Sequence, residues 1–302
     1  MIELWIPVTV VGAFLQCART ALQKGLSSTL GTSAANFVRY VYGAPIAALA
    51  LIVLAKVYGL AVPIPGATFW FYSLTAALTQ IWATSLLILA FTLRNFAVGT
   101  TFSKTETAQT ALLATFVLGE PLSLGAWAAI GLCLFGVLVL AQRRVAGGWR
   151  GLLDGFRDRA ALMGIASGGL FGVTAVAVRA AAISLGDAPA LSRAGLVLAA
   201  TTALQTALMG LYLAWREPGE LRLAFTTWRS ASWVGIMSVG GSACWFLAFT
   251  LENAAYVRAL GQVELVFTFL AARLFFHERS TLMEVTGVLL VVASVILLVM
   301  LR

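Results

Sequence analysis

The residues best placed to do chemistry in this chain are polar and ionisable side chains set inside apolar sequence. Gln16, Arg19, Thr20 and Gln23 follow one another at i, i+3, i+4 and i+7, and Asn36, Arg39, Tyr40 and Gly43 repeat that spacing. On helices each set forms one polar stripe, and two such stripes can line one cavity. Ser103, Glu106, Gln109 and Thr110 form a third stripe, from which Lys104 is turned by about 200° at ~100° per residue. Glu264 and Thr268 form a fourth, with Gly261 one turn earlier. An intramembrane charge costs roughly 2.5 to 3.5 kcal/mol on insertion scales, so each of these is a candidate for function. The chemistry they offer is solute binding and exchange of charge. No nucleophile, metal cluster or phosphate-cradling glycine loop stands out, no cofactor is implied, and an enzyme is not expected. Cys17, Cys133 and Cys244 lie inside apolar runs, without a CxxC pair and with only His277 to join them, which argues against a zinc site or a disulfide framework.

The elements that must position these side chains are membrane helices. The chain has 302 residues, 61% hydrophobic and 11% charged, with 12 acidic and 20 basic side chains. A soluble domain of this size needs far more charged surface. A hydrocarbon core of ~30 Å calls for about 20 apolar residues per helix. Ten such spans are expected, at 5–24, 33–56, 68–93, 96–118, 122–142, 160–185, 190–214, 230–251, 254–275 and 281–301. The first has no basic leader and no small-residue cleavage site after it, so it is expected to stay as a helix. The net charge of +8 comes from arginines scattered between apolar helices, without the dense basic stripe that nucleic acid calls for.

LAFTLRN at 89–95 returns as LAFTLEN at 247–253, and the same offset of 158 aligns Glu106 with Glu264, Thr110 with Thr268 and Glu120 with Glu278. The chain is therefore an internal duplication, of residues 1–142 and 160–302, joined by 143–159. A five-helix unit has an odd number of spans, so its second copy enters the membrane upside down. Charges agree: Arg143, Arg144, Arg150, Arg157, Arg159, Arg216, Arg222, Arg229 and Arg279 share one side, and the other offers little beyond Lys56 and Arg302. The positive-inside rule places the arginine side in the cytoplasm and both termini outside it. The fold class expected is an all-α membrane protein of ten transmembrane helices in two inverted five-helix repeats. Trp149, Leu152, Leu153 and Phe156 fall at helical spacing, so the linker is either a short helix in the headgroup layer or an irregular basic segment.

The second-span arginine in AANFVRYVYGAPIAAL, and the two tails FVLGEPLSLGAWAAIGLCLFGVLVL and LFFHERSTLMEVTGVLLVVASVILLV, resemble the EamA-like branch of the drug/metabolite transporter superfamily. The resemblance covers nearly the whole chain. It implies ten helices in a five-plus-five inverted repeat, a central cavity, and secondary transport by alternating access in a cell (inner) membrane, but no particular substrate. Many relatives carry a proline early in the fourth and ninth spans, where this chain has SKTETAQT and GQVELVFT.

Within this frame Arg39 is expected to pair with Glu106, and Arg193 with Glu264, either as fixed bundle contacts or as groups that exchange a proton or an arginine partner with solute. Gln16, Arg19, Asn36, Arg39, Tyr40 and Gln109, with the deep aromatics Trp82 and Trp245, are the expected solute contacts, and Glu106 and Glu264 the coupling or gating groups. In-span cations (Arg19, Lys24, Arg39, Lys104, Arg179, Arg193, Arg258) outnumber in-span acids (Glu106, Glu252, Glu264), which favours an organic anion or a zwitterionic amino acid as solute. Lys24, Arg179, Arg193 and Glu252 are expected to snorkel at helix ends. The alternatives are an exporter of lipophilic cations, with the glutamates binding the drug, and a non-transporting scaffold subunit. Gly164, Gly168 and Gly172 are expected to serve helix packing, Glu120 and Glu278 to cap the last helix of each half.

Overall fold

The computed structural model describes residues 3–26, 30–92, 102–142, 150, 159–274 and 281–301. The described chain is helical, in the order α1 Trp5–Leu26, α2 Thr32–Val41, α3 Gly43–Lys56, α4 Ala67–Thr92, α5 Glu106–Val117, α6 Leu124–Gln142, α7 Arg159–Ile183, α8 Ala190–Arg216, α9 Pro218–Thr226, α10 Trp228–Leu251, α11 Ala254–Gly261, α12 Glu264–Leu274 and α13 Leu282–Leu301. Each expected span coincides, over its described residues, with a helix or a helix pair. The physical reason is that lipid offers a peptide group no hydrogen-bond partner, so an apolar run must satisfy its backbone internally. Six of the described helical stretches are long and apolar enough to cross a membrane, and Leu124–Leu140 is a shorter apolar one. The linker helix expected around Trp149 and Phe156, and the residues His277, Glu278 and Arg279, lie outside the described residues.

The chain divides into two compact units, Met1–Ile81 with Ala177–Glu252, and Trp82–Val176 with Asn253–Arg302. Each unit thus draws on both halves of the sequence. In the first, α1 packs along α10, and α8 lies against α2, α3 and α10. Gly12 permits this close approach, since a Cβ there would stand 3.0 Å from that of Cys244. Its core joins Leu26, Phe37, Val38 and Tyr40 to Leu213, Ala224 and Val234. In the second unit α6 and α13 lie side by side, with α5 and α11 packed together nearby. Here the core is dominated by alanine, including Ala111, Ala126, Ala129, Ala255 and Ala259, and small side chains let helix backbones come close.

Two features differ from expectation. Residues 215–229, read as a loop, contain α9, whose Leu221 and Ala224 pack into the core of the first unit beneath α2. The second concerns the last helix of each half, where caps are described at Ser123 and at Thr281 with Glu284, Glu278 lying outside the described residues. Ser123 accepts from the Ala126 N–H at 3.0 Å, and Thr281 with Glu284 forms a reciprocal capping box at 2.9 and 3.4 Å. The glutamate turn before α6 instead uses Gly119, at φ +65°, to end α5 in the left-handed conformation.

Candidate functional site

Each unit contains a buried polar centre. In the first, the stripe of α1 is held locally and against α2: Gln23 donates to the Ala35 carbonyl at 2.8 Å, Arg19 to Thr20 at 3.4 Å, and Thr20 to the Gln16 carbonyl at 2.8 Å. From α2, Asn36 donates to the Ile81 carbonyl at 3.1 Å, and Arg39 donates through Nε to the Ser238 hydroxyl at 3.1 Å. The Arg39 guanidinium also lies 5.3 Å from the centroid of the Tyr40 ring. Asn36, Arg39 and Tyr40 are all buried. Trp245 is buried and stacks on Phe249 at 5.7 Å. Trp82, expected deep in its helix, is 62% exposed, while its neighbours Ile81 and Ala83 take the buried face. A contact that the stripes did not reveal is the amide bridge from Gln205 to Gln80, at 2.6 Å; two glutamines in otherwise apolar spans were its only signal.

The second centre is built on two helix breaks at equivalent positions of the duplication. Before α5 the Thr105 N–H bonds back to the Phe102 carbonyl at 3.2 Å. Before α12 the Val263 N–H bonds to the Leu260 carbonyl at 3.1 Å. Both are i to i+3 bonds that interrupt the α-helical ladder, and Phe102 and Leu260 are themselves 158 apart. No proline is needed for either. Each break leaves a glutamate as first residue of the helix that follows, where the positive end of the helix dipole favours a carboxylate. In both copies the threonine one turn on, Thr110 or Thr268, donates to the glutamate carbonyl, at 2.7 and 2.9 Å.

The carboxylates find their cations reciprocally. Lys104, in the first break, donates to Glu264 at 3.1 Å, and Arg258, on α11, lies 3.6 Å from Glu106. Gln262, in the second break, donates to the buried Thr107 hydroxyl at 2.8 Å. Among the described contacts the cations beside the glutamates are thus Lys104 and Arg258, where the sequence suggested Arg39 and Arg193. Arg193 donates to the Ala182 carbonyl at the end of α7, at 3.4 Å. Lys104 meets Glu264 because the helical wheel that turned it away does not continue through the break. Arg179, expected to snorkel, donates to the Phe249 carbonyl at 2.9 Å and so neutralises the C-terminal end of α10.

Gln109 donates to Thr105 at 2.8 Å and to the Ile165 carbonyl at 3.3 Å, tying α5 to α7. The glycines of α7 explain how the first break is seated. A Cβ on Gly168 would stand 2.7 Å from the Ser103 carbonyl and 3.1 Å from the Glu106 nitrogen, and one on Gly172 3.0 Å from the Thr110 hydroxyl. The expected packing role of these glycines therefore has a specific object, the interrupted backbone that presents Glu106.

What this arrangement can do is exchange partners. Two carboxylates and Arg258 sit on short helices that begin or end at breaks, Lys104 sits in a break itself, and Lys104 feels the charges of Glu106 and Arg258 as well as that of Glu264. Interrupted helices of this kind carry the binding sites of many secondary transporters. Among the described residues no cluster of His, Cys, Asp and Glu is arranged to hold a metal ion.

A solved crystal structure of another protein shares the fold, with a TM-score of 0.72 at 18% identity, over 98% of this chain and 96% of that one. At that identity the likeness speaks to the fold alone. No curated protein matches the chain. Residues 158–300 match the family model of the EamA-like transporters. Members of that family are transporters and not enzymes, and with the apolar helices this marks a multi-pass membrane protein. The second half of the chain thus matches the EamA-like transporter family, which is part of the drug/metabolite transporter superfamily.

Proposed function

We propose that the protein is a secondary active transporter that moves a small polar metabolite, an organic anion or an amino acid, by alternating access. In this reading residues 1–142 and 160–302 are inverted five-helix repeats in an inner membrane, with both termini outside the cytoplasm. The observation that carries it is the reciprocal pairing of Glu106 with Arg258 and of Glu264 with Lys104 across two equivalent helix breaks. A cycle that loosens one break and tightens the other changes which cation each carboxylate holds. Glu106 and Glu264 are then the coupling or gating groups, with protons as the coupling ion. Arg19, Asn36 and Arg39 supply the fork of donors that suits a carboxylate on the solute, and Gln16, Tyr40, Gln109, Trp82 and Trp245 are the further solute contacts of this reading. Carboxylates that already lie against protein cations are poor sites for a lipophilic cation, which favours the metabolite over the drug exporter.

The test is a thermal-shift screen of the purified protein against carboxylates, phosphorylated metabolites, amino acids, sugars and lipophilic cations, followed by gradient-driven uptake of the best hit into proteoliposomes. Stabilisation by an anion or amino acid that is lost in Arg39→Ala, with gradient-driven uptake lost in Glu106→Gln or Glu264→Gln, is the expected result. Stabilisation only by lipophilic cations, lost in Glu106→Gln, would move the assignment to the exporter; full gradient-driven uptake in both glutamine variants would remove the coupling role.

A further inference from the structure

We infer that the corner made by the end of α8, the helix α9 and the start of α10 is a binding site for the phosphate headgroup of an anionic phospholipid. The helices on either side, Ala190–Arg216 and Trp228–Leu251, are both long and apolar enough to cross the membrane, so the short helix joining them lies at headgroup level. This corner presents three exposed arginines, Arg216, Arg222 and Arg229. Two of them rest on tryptophan rings at the two helix ends: Arg216 lies 4.3 Å from the ring centroid of Trp215 and Arg229 5.7 Å from that of Trp228. Both tryptophans are more than half exposed. An arginine lying on an exposed aromatic ring keeps its donors available while the ring seats in the interfacial layer.

The acids of the segment do not cancel this charge on the outward face. Glu220 turns inward and accepts from the Gly31 N–H at the start of α2, at 2.8 Å, and Glu217 accepts from the Tyr212 hydroxyl at 3.1 Å. The other side of α9 is fixed by Leu221 and Ala224 in the core of the unit. What the corner presents outward includes guanidinium and indole together with the exposed apolar side chains Leu223 and Phe225, a surface complementary to a phosphodiester above an acyl chain.

Native mass spectrometry of the full chain from neutral detergent, titrated with phosphatidylglycerol or with phosphatidylcholine, tests the site. Phosphatidylglycerol is expected to bind about a hundredfold tighter than phosphatidylcholine. Replacing Arg216, Arg222 and Arg229 together by Gln should weaken it about a hundredfold, at roughly fivefold for each arginine, and leave phosphatidylcholine unchanged. The triple Arg→Lys variant, which keeps the charge, should retain the preference. Equal affinity for the two lipids, an unchanged preference in the glutamine variant, or its loss in the lysine variant would overturn the proposal. So would displacement of the bound phosphatidylglycerol by inorganic phosphate at about ten millimolar, which would make the site one for free anions.

Discussion

The break before α5 and the break before α12 share a backbone and differ in their side chains. Both close with an i to i+3 hydrogen bond, and both are followed by a glutamate and, one turn on, by a threonine that bonds back to it. At the position aligned with Lys104, however, the second break carries Gln262, and the second cation, Arg258, sits on α11 ahead of its break. Duplication has kept the acid and the geometry and has placed the two cations at non-equivalent positions. Each glutamate therefore lies beside a cation of the other half. A half taken alone would carry an acid and a base that have to look elsewhere for these partners, which makes association of the halves a condition for burying either charge.

The sharpest way to break this equivalence is to remove one acid at a time. In the pair of Glu106 the side chains of Arg258 and Glu106 are 8% and 10% exposed, whereas Lys104 and Glu264 are 15% and 13% exposed. Removing one partner of a buried pair leaves an uncompensated charge, at a cost of about 3–5 kcal/mol. Glu106→Gln should approach that figure, measured by reversible unfolding in mixed micelles, and Glu264→Gln should fall clearly below it. The double variant Glu106→Gln with Arg258→Gln should recover most of the loss, because neither charge is then stranded. Equal losses in the two single variants would mean that the breaks are equivalent in energy as well as in backbone.

Next in size is the seat of the first break. Gly168→Ala drives a Cβ to 2.7 Å from the Ser103 carbonyl, a backbone atom that cannot rotate away. Overpacking of this kind costs about 1–3 kcal/mol and should shift the break itself. Gly131 on α6 has open space within 4 Å of a Cβ, so Gly131→Ala serves as the control and should be neutral or slightly stabilising. Indistinguishable melting temperatures for the two variants would show that α7 does not hold the break. On the second break, Thr107→Val removes the hydroxyl that receives the Gln262 amide and should cost about 1–2 kcal/mol, the price of a buried donor left unsatisfied.

How far these features could be read in advance follows from what one sequence encodes. The helices were legible because long apolar runs have few alternatives to a helix, and six of the described ones are long and apolar enough to cross a membrane. The register of the two glutamates was legible because a repeat aligns them. The breaks were not, since a turn of i to i+3 bonding without proline leaves little trace beyond the coincidence of SKTE with GQVE. Missing the break also misdirected Lys104, whose orientation was drawn on an unbroken wheel. Partners such as Arg258 for Glu106, or Ser238 for Arg39, depend on which helices become neighbours, and periodicity within one helix carries no such information. The capping box of Thr281 and Glu284 was available as T-x-x-E. Nine residues of α9 are too few to form a span, although Pro218 at the helix start, Glu220 in its first turn, and Leu221, Ala224 and Phe225 at helical spacing do spell a short amphipathic helix.

That helix extends the contrast between the halves to their loops. After α3 the chain runs without helix from 57 to 66, while the corresponding connection after α8 folds into α9. The second half thereby gains a strap on α2, the helix that bears Asn36 and Arg39. Glu220 accepts from Gly31 at its start, the Phe225 ring meets Phe37 edge-on at 6.3 Å, and the Tyr42 hydroxyl donates to the Ala224 carbonyl at 3.0 Å. The smallest effect expected here comes from Glu220→Gln, which can keep the hydrogen bond and removes only the charge facing the N-terminus of α2. Such a charge contributes about 0.3–1 kcal/mol at low ionic strength. Because Glu220 is only half-buried, added salt should screen the contribution. The melting temperatures of the parent and the variant should therefore differ at low salt and converge at high salt, whereas a difference that persists at high salt would mean that the carboxylate acts through the shape of its hydrogen bond to Gly31 and not through its charge.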